Sequence, residues 1–160
     1  MVHMEGVDVV YRSRKNTRIP GYDYASCNYY FITICTNEKN CIFGSADQLN
    51  AFGKIAKEDL QKLSECYQTI HVDNFIVMPN HIHAIIVTEP ENTVSLNHIV
   101  GLYKSGVSRK IHHLQPNIIV WQRSYYDHII RNQREYEQIW EYVEFNAEKW
   151  KEDRYYIKGE

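Results

Sequence analysis

The chain has 160 residues and a mass of 19.0 kDa, which suits one domain with its own hydrophobic core. A hydrophobic fraction of 44% beside 24% charged residues excludes a chain that is disordered throughout. The formal net charge of −2 excludes a protein that coats nucleic acid by bulk positive charge, so any contact with DNA must be local. No apolar run reaches membrane-spanning length and the N-terminus is polar, which predicts a cytoplasmic protein.

The first segment, residues 1–26, is polar and basic and is interrupted by Pro20 and Gly21. We expect an N-terminal arm there, ahead of a single domain over residues 27–160. That domain begins with Tyr29–Cys35, which is dense in aromatic and β-branched residues. This composition predicts a buried strand.

The next part of the chain predicts one helix and two strands. Apolar residues recur at helical spacing over residues 47–66. Residues 70–78 and 81–87 then predict two strands, joined directly by the turn residues Pro79 and Asn80. Because the connection is so short, the two strands must form an antiparallel hairpin.

Three further elements complete the chain. A second helix is expected to begin at Ser95 or Asn97, either of which can cap it, and to end near His113. Residues 125–130 predict a fourth strand. Asn132 then caps a long final helix, whose apolar stripe consists of Tyr136, Ile139, Trp140, Val143, Ala147 and Trp150.

The order of these elements is β-α-β-β-α-β-α. It predicts an α+β protein with the ferredoxin-like split βαβ sandwich, β-α-β-β-α-β, and an added C-terminal helix. Acidic residues predominate between Glu135 and Asp153, and we expect this acidic face to point away from any bound DNA.

Two histidines are separated by one residue in the third predicted strand. His81 and His83 project from the same face of the sheet, because alternate residues of a strand share a face. Neutral imidazole is the commonest metal ligand among protein side chains, so the pair suits two ligands of one ion. The alternative is a pair of core histidines satisfied by hydrogen bonds, and the spacing alone does not separate the two.

A phenol and a carboxamide share one face of the final helix. Tyr142 and Asn146 are four residues apart, with Gln138 one turn earlier. Tyr142 flanks the apolar stripe, so its ring can pack while its hydroxyl reaches a cleft. The alternative is an amphipathic tyrosine beside a solvated asparagine. Other tyrosines compete for the same role: Tyr125, Tyr126, Tyr136, Tyr155 and Tyr156.

Taken together, these residues suggest a specific chemistry. Two imidazoles and one amide oxygen make a site with open positions for a divalent ion, which can polarise a phosphodiester oxygen. A phenol can then attack phosphorus and form a covalent phosphotyrosine, which conserves the bond energy for rejoining. Since the pKa of tyrosine is about 10, the nucleophile needs a nearby base or the field of the ion.

Five segments, in order, resemble the conserved blocks of a known family. They are 18–24 (RIPGYDY), 30–36 (YFITICT), 77–83 (VMPNHIH), 99–105 (IVGLYKS) and 121–131 (WQRSYYDHIIR). The chain thereby resembles the single-tyrosine transposases of the His-hydrophobic-His (HUH) endonuclease superfamily, and most closely the REP-associated tyrosine transposase subgroup.

The resemblance implies that His81 and His83 bind the metal. It also implies that Tyr142, on the added C-terminal helix, is the nucleophile and that Asn146 is the third ligand. The implied metal is Mg²⁺ or Mn²⁺, the implied substrate is single-stranded or hairpin DNA, and the implied assembly is a homodimer. Members of the family usually have proline after this asparagine, whereas Ala147 follows here, so the helix is expected to continue past it.

The sequence thus predicts a metal-dependent endonuclease and strand transferase for single-stranded DNA, either a transposase or a domesticated transposase. We expect basic residues to contact phosphates: Arg12, Arg14, Lys15, Arg18, Lys104, Arg109, Arg123 and Arg131. For each of them the alternative is a solvated surface charge. Two other classes stay open, a non-catalytic module that binds single-stranded or hairpin nucleic acid and a metal-binding protein unconnected with DNA.

Overall fold

The computed structural model describes residues 19–24 and 28–157. Within these ranges the elements are β1 (Asn28–Cys35), α1 (Ala51–Cys66), β2 (Ile70–Met78), β3 (His81–Thr88), α2 (Leu96–Leu114), β4 (Tyr126–Ile130) and α3 (Gln133–Glu144), with short 3-10 turns at Asn37–Lys39 and Trp150–Glu152. None of the described helices is long and apolar enough to cross a membrane.

The strands form one sheet in the order β2-β3-β1-β4, and every neighbouring pair is antiparallel. The parallel strands β1 and β2 therefore have β3 between them, and β3 and β4 likewise have β1 between them. This is the split βαβ arrangement with one added C-terminal helix. The α+β fold predicted from the sequence is confirmed.

Alternation along β1 and β3 gives the sheet two different faces. On one face Tyr30, Ile82 and Ala84 belong to the main core, together with Leu60 of α1 and Val107 of α2. Helices α1 and α2 therefore cover this face.

The opposite face is covered by α3. Phe31 of β1 and Ile85 of β3 pack there against Ile139 and Val143 of α3. This helix is thus the structural addition to the ferredoxin-like core, and the residues of β1 and β3 that point toward it share a second, smaller core.

The start of α2 decides between the two predicted caps. The Ser95 hydroxyl accepts a hydrogen bond from the backbone N–H of His98 at 3.2 Å, so Ser95 is the N-cap. Asn97 has a different contact, because its Oδ1 accepts a hydrogen bond from the Tyr125 hydroxyl at 2.7 Å.

The last helix is shorter than the sequence predicts. Asn132 caps it as expected, with Oδ1 accepting from the backbone N–H of Glu135 at 2.9 Å. The helix ends at Glu144, however, and the prediction that it continues through Trp150 is wrong. A straight continuation would carry Trp150 about 9 Å further along the axis. Instead the chain turns back, and Trp150 is buried in a cluster with Cys35, Met78 and Tyr155.

Part of the predicted N-terminal arm packs on the domain. Tyr24 is buried and its ring stacks on that of Tyr30, with 6.0 Å between centroids. The boundary at residue 26 stays a prediction. The arm cations Arg12, Arg14, Lys15 and Arg18 lie outside the described residues.

Candidate active site

The two histidines of β3 lie side by side on the sheet face that α3 covers. His83 is paired with Thr33 of β1, and His81 is paired with Cys35. Their ring centroids are 4.5 Å apart, and their residues are 1% and 0% exposed. The predicted shared face is therefore confirmed, and both side chains lie deep in the structure.

The neighbouring asparagine fixes the tautomer of His81. The Asn80 amide nitrogen donates to the carbonyl oxygens of Lys39 at 3.1 Å and Tyr155 at 2.8 Å. Its Oδ1 therefore faces Nδ1 of His81, at 2.8 Å, and can only accept. His81 thus carries its proton on Nδ1, which leaves the lone pair of Nε2 directed into the site.

Both imidazoles are neutral. Burial, followed by the neighbouring charge of His83, holds the pKa of His81 well below its ordinary value. Burial, followed by the charge of Arg154, lowers the pKa of His83 to about 3. Neutral imidazole is the form that binds a metal, so neither ring has to give up a positive charge at neutral pH.

His83 connects the sheet to α3. Its Nδ1 lies 2.8 Å from the Thr33 hydroxyl, and its Nε2 lies 3.3 Å from the hydroxyl of Tyr142. The ring of Tyr142 packs edge-on against Phe31 and lies 5.2 Å from the His83 ring. The ring packs, as the sequence predicted, and the hydroxyl contacts the buried imidazole of His83.

Asn146 follows α3 and turns its amide into the same site. Its Nδ2 donates to Oδ2 of Asp153 at 2.8 Å, so its Oδ1 is directed elsewhere. Neither this Oδ1 nor Nε2 of His81 has a hydrogen-bond partner among the described residues, and both are buried. The Asn146 side chain raises the pKa of His81, although burial lowers it by more. This effect requires the two side chains to lie close together. Two acceptors without a donor between them fit a site for a cation.

Asp153 is the site residue that the sequence did not predict. Its side chain is 1% exposed, and Oδ2 lies 3.9 Å from Nε2 of His81. We expected Asp153 to be part of an acidic face between Glu135 and Asp153. Its burial shows that this expectation was wrong for Asp153. Asp153 stands in a run of charged residues, and such a run is typical of a solvated surface, so the pattern contained no signal for burial.

The donor atoms suit a divalent metal ion. One ligand atom each from His81, His83 and Asp153 lie within 4.8 Å of one another. With the free Oδ1 of Asn146, the site offers two nitrogen and two oxygen donors, a set that fits first-row divalent ions and Mg²⁺ better than thiophilic ones.

The predicted phosphate contacts are distributed over several surfaces. Lys104 lies on α2, on the opposite side of the sheet from the histidines, and its ammonium donates to the carbonyl oxygens of Gln122 and Ser124 at 2.8 Å each. Arg109 and Arg123 are exposed. Arg131 is also exposed and lines a cavity of about 420 Å³ at the end of β4, together with Tyr29 and Tyr136.

Two cations that the sequence did not single out lie much closer to the site. Lys39 and Arg154 are exposed, and their charged groups lie 5.5 and 5.4 Å from the centroid of the Tyr155 ring. That ring in turn covers His81, with 4.4 Å between centroids. The polar side of the site is therefore flanked by positive charge.

Other tyrosines have different surroundings. The hydroxyl of Tyr125 donates to Asn97, and that of Tyr136 donates to Asp73. Tyr126 is paired with Thr33 and thus shares the sheet face of the histidines. Compared with these three tyrosines, Tyr142 is the one whose hydroxyl contacts a histidine of the site.

The family model described as Transposase IS200 like matches residues 23–146. The chain belongs to this family. The matched range includes the histidine pair, Tyr142 and Asn146, and stops short of Asp153. An uncharacterized protein of Haemophilus influenzae strain Rd is 32% identical to this IS200-like chain over 168 aligned positions, which cover 90% of the chain and 93% of the relative.

Two solved structures share the fold of this IS200-like chain. One is a REP-associated tyrosine transposase bound to a REP hairpin, with a TM-score of 0.60 and 16% identity, covering 82% of this chain and 73% of that one. The other is a candidate transposase from Deinococcus radiodurans R1, with a TM-score of 0.54 and 17% identity, covering 79% and 95%. Family and fold together confirm the resemblance to single-tyrosine transposases.

Proposed function

We propose that this IS200-like chain is a metal-dependent endonuclease and strand transferase that cuts single-stranded or hairpin DNA through a covalent phosphotyrosine on Tyr142. The observation that carries the proposal is the contact of 3.3 Å between the Tyr142 hydroxyl and Nε2 of His83. It joins a half-buried phenol to a group of metal-type donors. Two of their atoms, Nε2 of His81 and Oδ1 of Asn146, are buried without a hydrogen-bond partner among the described residues.

His81, His83 and Asn146 are the proposed ligands of Mg²⁺ or Mn²⁺. Nε2 of His81 and Oδ1 of Asn146 are buried acceptors, and the tautomer of His81 is fixed by Asn80. A bound divalent ion would polarise the scissile phosphodiester and stabilise the charge that develops on its oxygens.

Tyr142 supplies the nucleophile. Its oxygen forms a bond to phosphorus while one phosphorus–oxygen ester bond of the DNA breaks, and the departing oxygen takes up a proton to become a hydroxyl. The phenol proton passes to water at the exposed side of Tyr142, because burial makes His83 a poor base. Attack by the free hydroxyl on the phosphotyrosine reverses the same step and rejoins a strand.

The DNA is proposed to lie along the side of the site flanked by Lys39 and Arg154. Both side chains are exposed, and exposed cations of this kind hold the phosphates of single-stranded DNA. Arg131, beside Tyr29 at the end of β4, is proposed as a separate phosphate contact. The structural relative bound to a REP hairpin supports hairpin DNA as the substrate class.

The test is incubation with labelled single-stranded hairpin DNA and Mn²⁺, followed by denaturing electrophoresis. We expect a protein-linked DNA product, and after digestion the adduct should be on a peptide that contains Tyr142. An adduct on another tyrosine would support the proposed reaction and show that Tyr142 is not the nucleophile. Retention on DNA without any adduct would indicate a non-catalytic binding module instead.

A homodimer is also proposed from the resemblance to the family. Light scattering of the free protein and of its complex with hairpin DNA tests it. A mass of about 38 kDa, twice that of the chain, is expected for the dimer. A single-chain mass at all concentrations in both states would refute it.

A further inference from the structure

Asp153 has surroundings that are unusual for an acidic side chain. Its side chain is 1% exposed, and Oδ2 lies 3.9 Å from Nε2 of His81. A carboxylate is rarely buried unless it is paired with a cation or binds a metal. A cation bound beside His81 and His83 would supply the positive charge that this buried carboxylate requires.

Two hydrogen bonds hold the carboxylate in a defined orientation. The backbone N–H of Tyr155 donates to Oδ1 at 2.7 Å, and Nδ2 of Asn146 donates to Oδ2 at 2.8 Å. Oδ2 is thereby the oxygen that faces the histidine pair. Ligand atoms lie about 2 Å from a divalent ion. A spread of 4.8 Å among His81, His83 and Asp153 therefore closes on one ion after small side-chain movements.

We propose that Asp153 is itself a ligand of the metal centre, with Oδ2 bound to the cation beside the two imidazoles. The inference rests on the proposed metal-binding role of His81 and His83. Two imidazoles and one amide carry no negative charge, and Asp153 supplies it, which favours a hard divalent ion. The competing role is that of a positioning residue, which would only orient the amide of Asn146.

A double-mutant cycle on metal binding separates the two roles. Mn²⁺ affinity is measured without DNA, from the electron paramagnetic resonance signal of the free ion. The four proteins are the wild type, Asp153→Asn, Asn146→Ala and the double variant. As a ligand, Asp153 should contribute at least roughly 100-fold in affinity, and about the same factor in the Asn146→Ala background. If Asp153→Asn has no effect once Asn146 is removed, Asp153 acts through the amide and the proposal is overturned.

A second measurement tests the proposal if Asp153→Asn does not fold, or binds Mn²⁺ too weakly for its affinity to be measured. Metal-free thermal unfolding first shows whether Asp153→Asn is folded, since the change removes one acceptor from Asn146 or Tyr155. The wild type is then labelled with ¹³C at its aspartate carboxyl groups and loaded with Mn²⁺. Pulsed electron paramagnetic resonance should show strong ¹³C coupling from a directly bound carboxylate. Absence of that coupling overturns the ligand assignment.

A histidine variant makes this failure distinguishable from failure of the metal centre. His81→Asn keeps a donor toward Oδ1 of Asn80 and removes Nε2, so it should abolish Mn²⁺ binding. A wild type that binds no Mn²⁺, or one whose binding survives this change, would overturn the metal centre and the proposal with it. Binding that depends on His81 but not on Asp153 would overturn the ligand role of Asp153 alone.

Discussion

Replacement of Tyr142 by phenylalanine removes one oxygen and separates the role of this residue in catalysis from its role in packing. The ring contacts with Phe31 and His83 remain, and the change deletes a hydrogen bond of 3.3 Å to a buried imidazole. Loss of a neutral hydrogen bond costs about 1 kcal/mol, including the acceptor left unpaired on His83. For a chain of this size that is roughly 2–4 °C in melting temperature.

Cleavage should respond far more strongly than stability. Without the nucleophile, formation of the covalent DNA adduct should fall by at least roughly a thousandfold. Mn²⁺ affinity and DNA affinity should stay within a few-fold of the wild type, because no proposed ligand is changed. The assay is the labelled hairpin DNA reaction, with melting temperature and Mn²⁺ binding measured on the same preparations.

The matched controls are Tyr125→Phe and Tyr136→Phe, since these hydroxyls bond Asn97 and Asp73 away from the histidines. Both variants should cut. Tyr126→Phe is not a suitable control, because Tyr126 shares the sheet face of the site. Metal-dependent cutting by Tyr142→Phe, with no adduct on any tyrosine, would point to a metal-activated water and refute the mechanism.

Three further predictions concern the metal, the DNA and pH. Mn²⁺ at a hundred times its dissociation constant should stabilise the wild type by about 2.7 kcal/mol and leave His81→Asn unchanged in calorimetry; equal shifts in both would place the ion elsewhere. Deletion of residues 1–17 removes three cations, so the log–log salt dependence of DNA binding should become shallower by up to about 2, and an unchanged slope would mean that the arm does not contact DNA. Burial raises the pKa of Glu135, but hydrogen bonds from the Arg131 N–H and from His128 outweigh it and lower the pKa below its ordinary 4.5. The stabilisation by Glu135 is therefore present at neutral pH and lost as the pH falls below about 4.5, so the difference in unfolding free energy between wild type and Glu135→Gln should shrink there; a constant difference would contradict the assigned cause.

The sequence was sufficient for the elements whose pattern is local. The hairpin of β2 and β3 was predicted with the observed start at Ile70 and the observed turn, because aromatic and β-branched runs meet turn residues there. Side-chain chemistry next to each helix predicted Asn132 as a cap and Ser95 as one of two candidates. The shared face of the two histidines required only the two-residue repeat of a strand.

The sequence failed where tertiary packing overrides local periodicity. The stripe from Tyr136 to Trp150 is helical in spacing, yet burial of Trp150 against Met78 and Cys35 turns the chain after Glu144. A continuous helix would have placed Asp153 about 10 Å along the axis from Asn146, whereas the turn brings the two side chains to 2.8 Å. The helix that we expected through Trp150 would therefore have placed Asp153 outside the site.

Because residues of β3 alternate between the two faces of the sheet, the residues of the site can change while those of the main core stay the same. Ile82, Ala84 and Ile86 belong to the main core, whereas the alternate positions His81 and His83 belong to the site. In the metal-free protein the histidines hold a buried, unmatched lone pair, which opposes folding. Apolar residues of similar volume at positions 81 and 83 should remove this unfavourable free energy. A copy that is no longer under selection for cutting should therefore accumulate such changes and become more stable and inactive. Under the proposed function, retention of both histidines in a chain is therefore a sign that selection still acts on DNA cleavage.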